Sequence, residues 1–466
     1  LNCRSARTIL ENLAADRRGK LVANTGDATV ANNGMRIIRW VVMTAWLLGA
    51  AQTPASGEQP DDALGRLVQS QGSAVVHAPE LAARLHELDA RQSAARADRS
   101  PGTPYVEWQS EGFHSGFDRS PNAQDTLRFG SPFNFPGHSK AGRRLQEMTR
   151  EWVDAGREAA RIQLSAETGL RWLDLAAAIE RSAVVRGRLD RLDSALALQE
   201  ARHQLGEVAG TDVAQLDLEH VRESSSLADL EGEVAVLRTR LRELCGSGCQ
   251  EPRQGDLGLV VSATLTPDRG PETGAAVESA PVFLSAYGEA EADRVRSELI
   301  SATAFGRPLI EAEWERLPAV EGLPAFDAWG FRLSVPLPIG GAGRHRRAAA
   351  KADGAAASAR AEGVRLHVTQ RTTSLLAVAE GAEGRLTALR SALADLDDVE
   401  HSLSEQFRLG AITYLVFIDG LSRLDEVRLE AISARRQLLR SRLELAALLG
   451  DAAVFPVGAP DREENP

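Results

Sequence analysis

Two kinds of stretch in this chain alternate apolar and polar residues with a period of two, and each occurs twice. In the first, Val106 and Trp108 lie on one side and Tyr105, Glu107, Gln109 and Glu111 on the other; its counterpart sets Ile310, Ala312 and Trp314 against Glu311, Glu313 and Glu315. In the second, Leu127, Phe129, Phe133 and Phe135 alternate with Arg128, Gly130 and Asn134, and Phe331, Leu333, Leu337 and Ile339 with Arg332, Ser334 and Pro338. A period of two predicts strands with one greasy and one wet face. An outer face and a polar lumen of a membrane barrel would alternate in this way, and so would a half-buried antiparallel sheet of a soluble protein. Strand number bears on the choice, because four strands are too few to close a barrel, whose minimum is about eight. Closure would take several copies of the chain.

After each strand pair the pattern changes to a helical one, from about Lys140 to Gly246 and from about Arg344 to Gly450, and Pro is absent from both spans. Heptad steps run through Leu227, Leu230, Val234, Leu237, Leu241 and Leu244, and through Ala431, Ala434, Leu438, Ser441, Leu445 and Leu448 at the equivalent positions. Steps of three and four make an apolar seam for another helix. Each region is divided once, at Gln204 to Val208 and at Arg408 to Ile412, where a single Gly beside a Leu fits a helix C-cap and a reversal. The expectation is two long helical hairpins, with arms of roughly 40 to 60 residues and on the order of 60 to 90 Å at 1.5 Å per residue.

Strands and helices together form one duplicated unit. A shift of 204 positions superposes Pro104 on Pro308, Glu107 on Glu311, Arg128 on Arg332, Pro132 on Pro336, Gly137 on Gly341, Leu205 on Leu409, Gly206 on Gly410 and Gly246 on Gly450. A weaker match, Ala78 and Pro79 with Ala280 and Pro281, needs a shift of 202. Residues 52–246 and 281–450 are therefore read as two repeats, 247–280 as a Pro-, Gly- and Thr-rich connecting loop, and 451–466 as a disordered C-terminal tail.

Upstream, Arg36 and Arg39 precede the apolar run Trp40 to Leu48 and the small residues Gly49, Ala50 and Ala51. Residues 35–51 thus have the three regions of a secretory signal peptide, and the apolar run is short of the roughly 20 residues of a spanning helix. Residues 1–34 are polar and are expected to be a non-native upstream extension. Composition adds two exclusions. A formal net charge of −11 argues against nucleic acid as a partner. The nine His residues are scattered, and no phosphate loop, metal-ligand motif or nucleophile elbow is present, so the chain reads as no enzyme, with no cofactor and no metal site. Cys245 and Cys249 flank the turn Gly246, Ser247, Gly248, and in an oxidising compartment they either pair or remain free thiols.

From about Ala63 to Gly450 the sequence resembles the TolC-like outer-membrane efflux factors, closest to the CzcC and CusC heavy-metal type. The resemblance is carried by Leu205 Gly206 and Phe407 Arg408 Leu409 Gly410 at the tips, by Leu333 Ser334 Val335 Pro336 Leu337 Pro338 leading to Gly341, and by the closing Leu443 to Gly450. It implies a mainly α protein with a β-barrel contribution: a homotrimer whose twelve strands form a barrel in outer-membrane lipid, continued by an α-barrel across the periplasm. It implies a periplasmic adaptor at the hairpin tips, linking to an inner-membrane pump, with Leu205, Gly206, Val208, Leu409, Gly410 and Ile412 as contact candidates. It also implies a periplasmic gate of carboxylates. Asp212 and Asp419 occupy such places, whereas Val416 stands where some members carry another acid. No cysteine directly follows the signal, so the lipid-anchored variant of such channels is not supported.

The expected function is then export of heavy-metal cations or small toxic compounds from periplasm to exterior. One alternative within the channel class is the outer component of type I protein secretion. Another class, a soluble periplasmic coiled-coil scaffold, accounts for the heptads but leaves the repeated strand pattern without a role.

Overall fold

The structure is a computed structural model, and it describes residues 60–100, 102–113, 119–134, 136–262, 273–302, 307–319, 324–335 and 341–450. The signal peptide, the upstream extension and the C-terminal tail lie outside the described residues, as do Phe135, Leu337 and Ile339. In chain order the elements are α1 (Pro60–His77), α2 (Pro79–Arg99), β1 (Tyr105–Phe113), β2 (Arg119–Pro132), α3 (Pro136–Gln204), α4 (Gly210–Cys245), α5 (Asp256–Ser262), α6 (Thr273–Ser279), α7 (Pro281–Ala302), β3 (Leu309–Leu317), β4 (Phe326–Ser334), α8 (Gly341–Arg408) and α9 (Tyr414–Leu449). The duplication is visible in these bounds. Strands β1 and β3 begin and end 204 positions apart, as do α4 and α9, while α2 and α7 start 202 positions apart, at Pro79 and Pro281.

The four strands form one antiparallel sheet in the order β1-β2-β3-β4. Their register puts Tyr105, Gly130 and Glu311 in one row and Glu107, Arg128 and Glu313 in the next. Trp108, Leu127, Trp314 and Trp329 make a row on the opposite face. The apolar and polar faces are those expected from the alternation. Strand limits differ from the expectation: β2 starts at Arg119, and β4 runs from Phe326 and ends at Ser334. Within residues 119–126, Asp125 and Thr126 pair with both β1 and β3, while Arg119 and Gln124 pair with β1 alone.

The two helical hairpins have unequal arms. Helices α3 and α8 contain 69 and 68 residues, about 100 Å at 1.5 Å per residue, and α4 and α9 have 36 each. The long arms start immediately after the strands, so their first turns lie under the sheet. There α2 and α7, which periodicity did not single out, complete a bundle around Leu88, Leu145, Trp152, Val153, Val295 and Leu299. Further along α3, Trp172 is fully buried among α1, α4, α5 and α9, and its indole N–H donates to the carbonyl of Gln250 at 2.9 Å. The segment read as a plain connecting loop contains the short helices α5 and α6. Asp256, fully buried at the start of α5, pairs with Arg66 of α1 and accepts from the backbone N–H of Arg253 at 2.8 Å. Among the described residues no helix is long and apolar enough to cross a membrane.

Candidate functional site

Two regions carry chemistry. The first is the sheet. Its polar face is a lattice of opposed charges: Arg128 donates to Glu107 at 3.1 Å and to Glu313 at 3.2 Å, and Arg332 lies 3.8 Å from Glu311 and 3.9 Å from Glu313. Tyr105 reaches across β2 and donates its hydroxyl to Glu311 on β3. Gly130 makes that reach feasible, because a Cβ there would lie 2.3 Å from the tyrosine ring. The opposite face is apolar over most of its length, with polar residues at one end, where Ser110 donates to Asp125 at 2.7 Å. Trp329 is 73% and Phe331 83% exposed, and Val106, Trp108, Ile310 and Leu333 are exposed beside them. A contiguous apolar surface of this kind marks a site that something apolar covers.

The second region is the pair of hairpin tips. Both α3 and α8 end on the same hydrogen-bond pattern. The N–H of Gly206 donates to His203 and that of Glu207 to Arg202; the N–H of Gly410 donates to Phe407 and that of Ala411 to Gln406. With Gly206 at φ 75° and Gly410 at φ 76°, each is a left-handed C-cap closed by a six-to-one bond, the reversal expected from the lone glycines. This geometry thrusts Leu205 and Leu409 outward, 75% and 72% exposed. Val208 and Ile412 are half-buried. Ile412 packs on a tip core of Leu192, Leu216, Phe407, Tyr414, Phe417 and Leu421, in which the Phe407 and Phe417 rings stack at 4.4 Å.

Charged groups tie the two tips together. Arg202 of the first repeat donates to the carbonyls of Phe407 at 3.3 Å and Arg408 at 2.8 Å, capping the C-terminal end of α8, where the helix dipole favours a cation. Deeper in, Arg191 on α3 donates to both carboxylate oxygens of Asp425 on α9 at 3.0 and 3.1 Å and to Glu400 on α8 at 3.0 Å, while Arg428 bonds Asp425 at 3.2 Å. Arg188 bonds Glu219 on α4 at 3.3 Å and Ser422 on α9 at 2.8 Å. Sequence reading did not find this network, because the bonds of Arg191 to Asp425 and Glu400, of Arg188 to Ser422 and of Arg202 to α8 join residues some two hundred positions apart.

Asp212 sits in the first turn of α4, where a carboxylate complements the helix N-terminus. Asp419 is exposed on α9 and forms a 2.9 Å ion pair with Arg423, so its charge is offset locally; Val416 is exposed nearby on the same helix. Cys245 and Cys249 are held with their Cα atoms 5.2 Å apart, within the range a disulfide spans.

Comparison with known proteins identifies the family. A family model described as outer membrane efflux protein matches residues 72–247 and 327–451, more than half of the chain and one block in each repeat. The chain belongs to the outer membrane efflux protein family. This efflux protein is accordingly an outer-membrane transport component, whose long helices extend into the periplasm. The solved outer-membrane channel OprN superposes with a TM-score of 0.69 at 18% identity, covering 86% of this chain and 98% of that one. CusC gives 0.67 at 16%, covering 86% and 99%, and the outer membrane protein VceC from Vibrio cholerae 0.64 at 19%, covering 83% and 96%. At these identities the likeness concerns the fold. Among curated proteins, none matches the sequence significantly.

Proposed function

We propose that three copies of this efflux protein close their four-stranded sheets into a twelve-stranded barrel in the outer membrane and their hairpins into a periplasmic conduit. The exposed apolar face of the sheet carries this reading, since lipid can cover it while the charged face lines water. Among the described residues the edges β1 and β4 have no further strand beside them, and such edges are normally paired or protected. Closure in a ring removes them. Helix α4 points the same way: it buries only Leu216, Val234, Leu241 and Cys245 within the chain, and leaves Leu218, Val221 and Val236 exposed for a neighbour.

In this arrangement the tips face an adaptor that leads to an inner-membrane pump, with Leu205 and Leu409 as the protruding anchors and Gly206, Val208, Gly410 and Ile412 shaping the surface around them. Asp212 and Asp419 line the periplasmic entrance. The cargo is proposed to be heavy-metal cations or small toxic compounds, with the CzcC and CusC resemblance as its support. Protein secretion is the alternative, and the identity of the pump encoded nearby discriminates the two. The test is to crosslink the chain in intact envelopes, separate inner from outer membrane, and size the product. An outer-membrane trimer is expected; a soluble monomer or dimer would replace this proposal with the periplasmic scaffold.

A further inference from the structure

Beside the network of Arg191 and Asp425 lies a cavity of about 350 Å³ between α3, α8 and α9, rimmed by Gln254 and Gly255 ahead of α5. It exists because facing positions are too short to fill the gap, Ala183 and Gly187 on α3 and Ala431 on α9. The polar groups that line it are not matched to one another. Glu180 and Arg191 come from α3, and Arg428 and Arg435 from α9, seven residues apart and hence on one side of that helix. Arg191 and Arg428 are balanced by Asp425 and Glu400. Arg435 has neither ion pair nor hydrogen bond among the described residues. Glu180 is 8% exposed and its Oε1 has no hydrogen-bond partner, and neither has Nε of Arg191.

The duplication does not account for these groups. At a shift of 204, Glu180 and Arg191 correspond to Gly384 and Asp395, and Arg428 and Arg435 to Ser224 and Glu231, so the cluster occurs once and the repeated fold stands without it. Leaving a guanidinium and a buried carboxyl oxygen unmatched costs free energy that a ligand can recover. The surplus in the cavity is positive, since Arg435 remains after Arg191 and Arg428 have been balanced. Burial raises the Glu180 carboxyl above the ordinary glutamate value, against the opposing charge of Arg435. A carboxyl held towards its neutral form donates a hydrogen bond where a carboxylate would repel an anion.

We infer that this cavity binds a small oxyanion, a phosphate or a carboxylate, through the guanidinium of Arg435 and the Nε–H of Arg191, with Glu180 against a remaining oxygen. Several oxygens on one centre suit the arrangement, because guanidinium N–H groups meet them in a fixed fork and such charge-assisted bonds are the strong ones. The bound anion ties α3 of the first repeat to α9 of the second. Every lining residue belongs to one chain, so the inference goes beyond the channel reading and does not depend on it.

The test uses the purified full-length protein, melted in rising inorganic phosphate with chloride at matched ionic strength as the blank. Phosphate also stabilises proteins without binding, by exclusion from their surface, so R435Q is measured alongside. A saturable rise in melting temperature is expected for the native chain, with an apparent phosphate affinity about tenfold or more weaker in R435Q, the size of one lost charge-assisted hydrogen bond. Without phosphate, R435Q should melt where the native chain does, because Arg435 has no partner to lose. L393E, which sets a carboxylate into the cavity from α8, should abolish the rise as well. E180Q, whose amide keeps an N–H donor, should bind phosphate at least as tightly as the native chain. Acetate in place of phosphate separates a carboxylate site from a phosphate one. No saturable rise with either anion, or an equal rise in the native chain, R435Q and L393E, would overturn the site, as would loss of binding in E180Q with R435Q unaffected.

Discussion

Arg191 is the residue on which the union of the two repeats at the tips can be measured. Asp425 is 97% buried and has two basic partners, Arg191 with two hydrogen bonds and Arg428 with one. Removing one member of a buried pair costs about 3 to 5 kcal/mol when nothing replaces it. Because Arg428 remains in Arg191→Met, and Glu400 keeps its own bond to Arg428, about half of that, roughly 2 kcal/mol, is expected. The assay is hydrogen exchange on the purified protein, followed on peptides from residues 188–204 and 400–428. A loss of 2 kcal/mol in local opening corresponds to roughly thirtyfold faster exchange. Peptides around Trp172, far along α3, should change little. Asp425→Leu alone should also loosen the tip, and Arg191→Met with Asp425→Leu should cost less than the two singles combined, because no buried carboxylate is then stripped of its arginine. Acceleration below twofold at the tip, or equal acceleration around Trp172, would refute a local lock.

Three further outcomes follow from single sites. Burial raises the Glu180 carboxyl above the ordinary glutamate value, although Arg435 opposes this, so the folded state holds that proton more tightly than the unfolded one. Stability from this group then falls as pH rises from about 4.3 through its raised value; Glu180→Gln should raise the melting temperature near pH 7 and lose that advantage in acid, and a pH-independent difference would refute the reasoning. At the tips, Leu205→Glu with Leu409→Glu should change stability by less than about 0.5 kcal/mol, both side chains being exposed, and abolish export in cells. Full export with the native adaptor would remove the tip assignment. Cys245 and Cys249 are expected to resist alkylation in protein from the periplasm until a reductant is added, and two freely titrating thiols would show that the 5.2 Å approach goes unused.

The parts legible in sequence were those written in local periodicity. Alternation around Val106 and Trp108 assigned strand faces correctly, and the heptad residues from Leu227 to Leu244 and Ala431 to Leu448 are all withdrawn from full exposure. Gly206 and Gly410 marked the reversals because few other residues adopt a positive φ there. Helices α2 and α7 were missed although Ala78-Pro79 and Ala280-Pro281 had been matched. Proline at the first helical turn was the available signal, and Pro79 does occupy that position.

By itself, the sequence determined a duplicated chain of strand pairs and long hairpins, with one greasy and one charged face on each strand, because those properties depend on neighbours two, three or four residues apart. Tertiary structure alone decided the joining of the copies: Tyr105 laid over Gly130 to Glu311, Arg128 on Glu313, and Arg191 on Asp425. Each of these pairs residues about two hundred positions apart, and no local periodicity specifies which arginine among fifty-four basic residues meets which carboxylate among sixty-five. That choice is made by packing, once helices about 100 Å long have been set side by side.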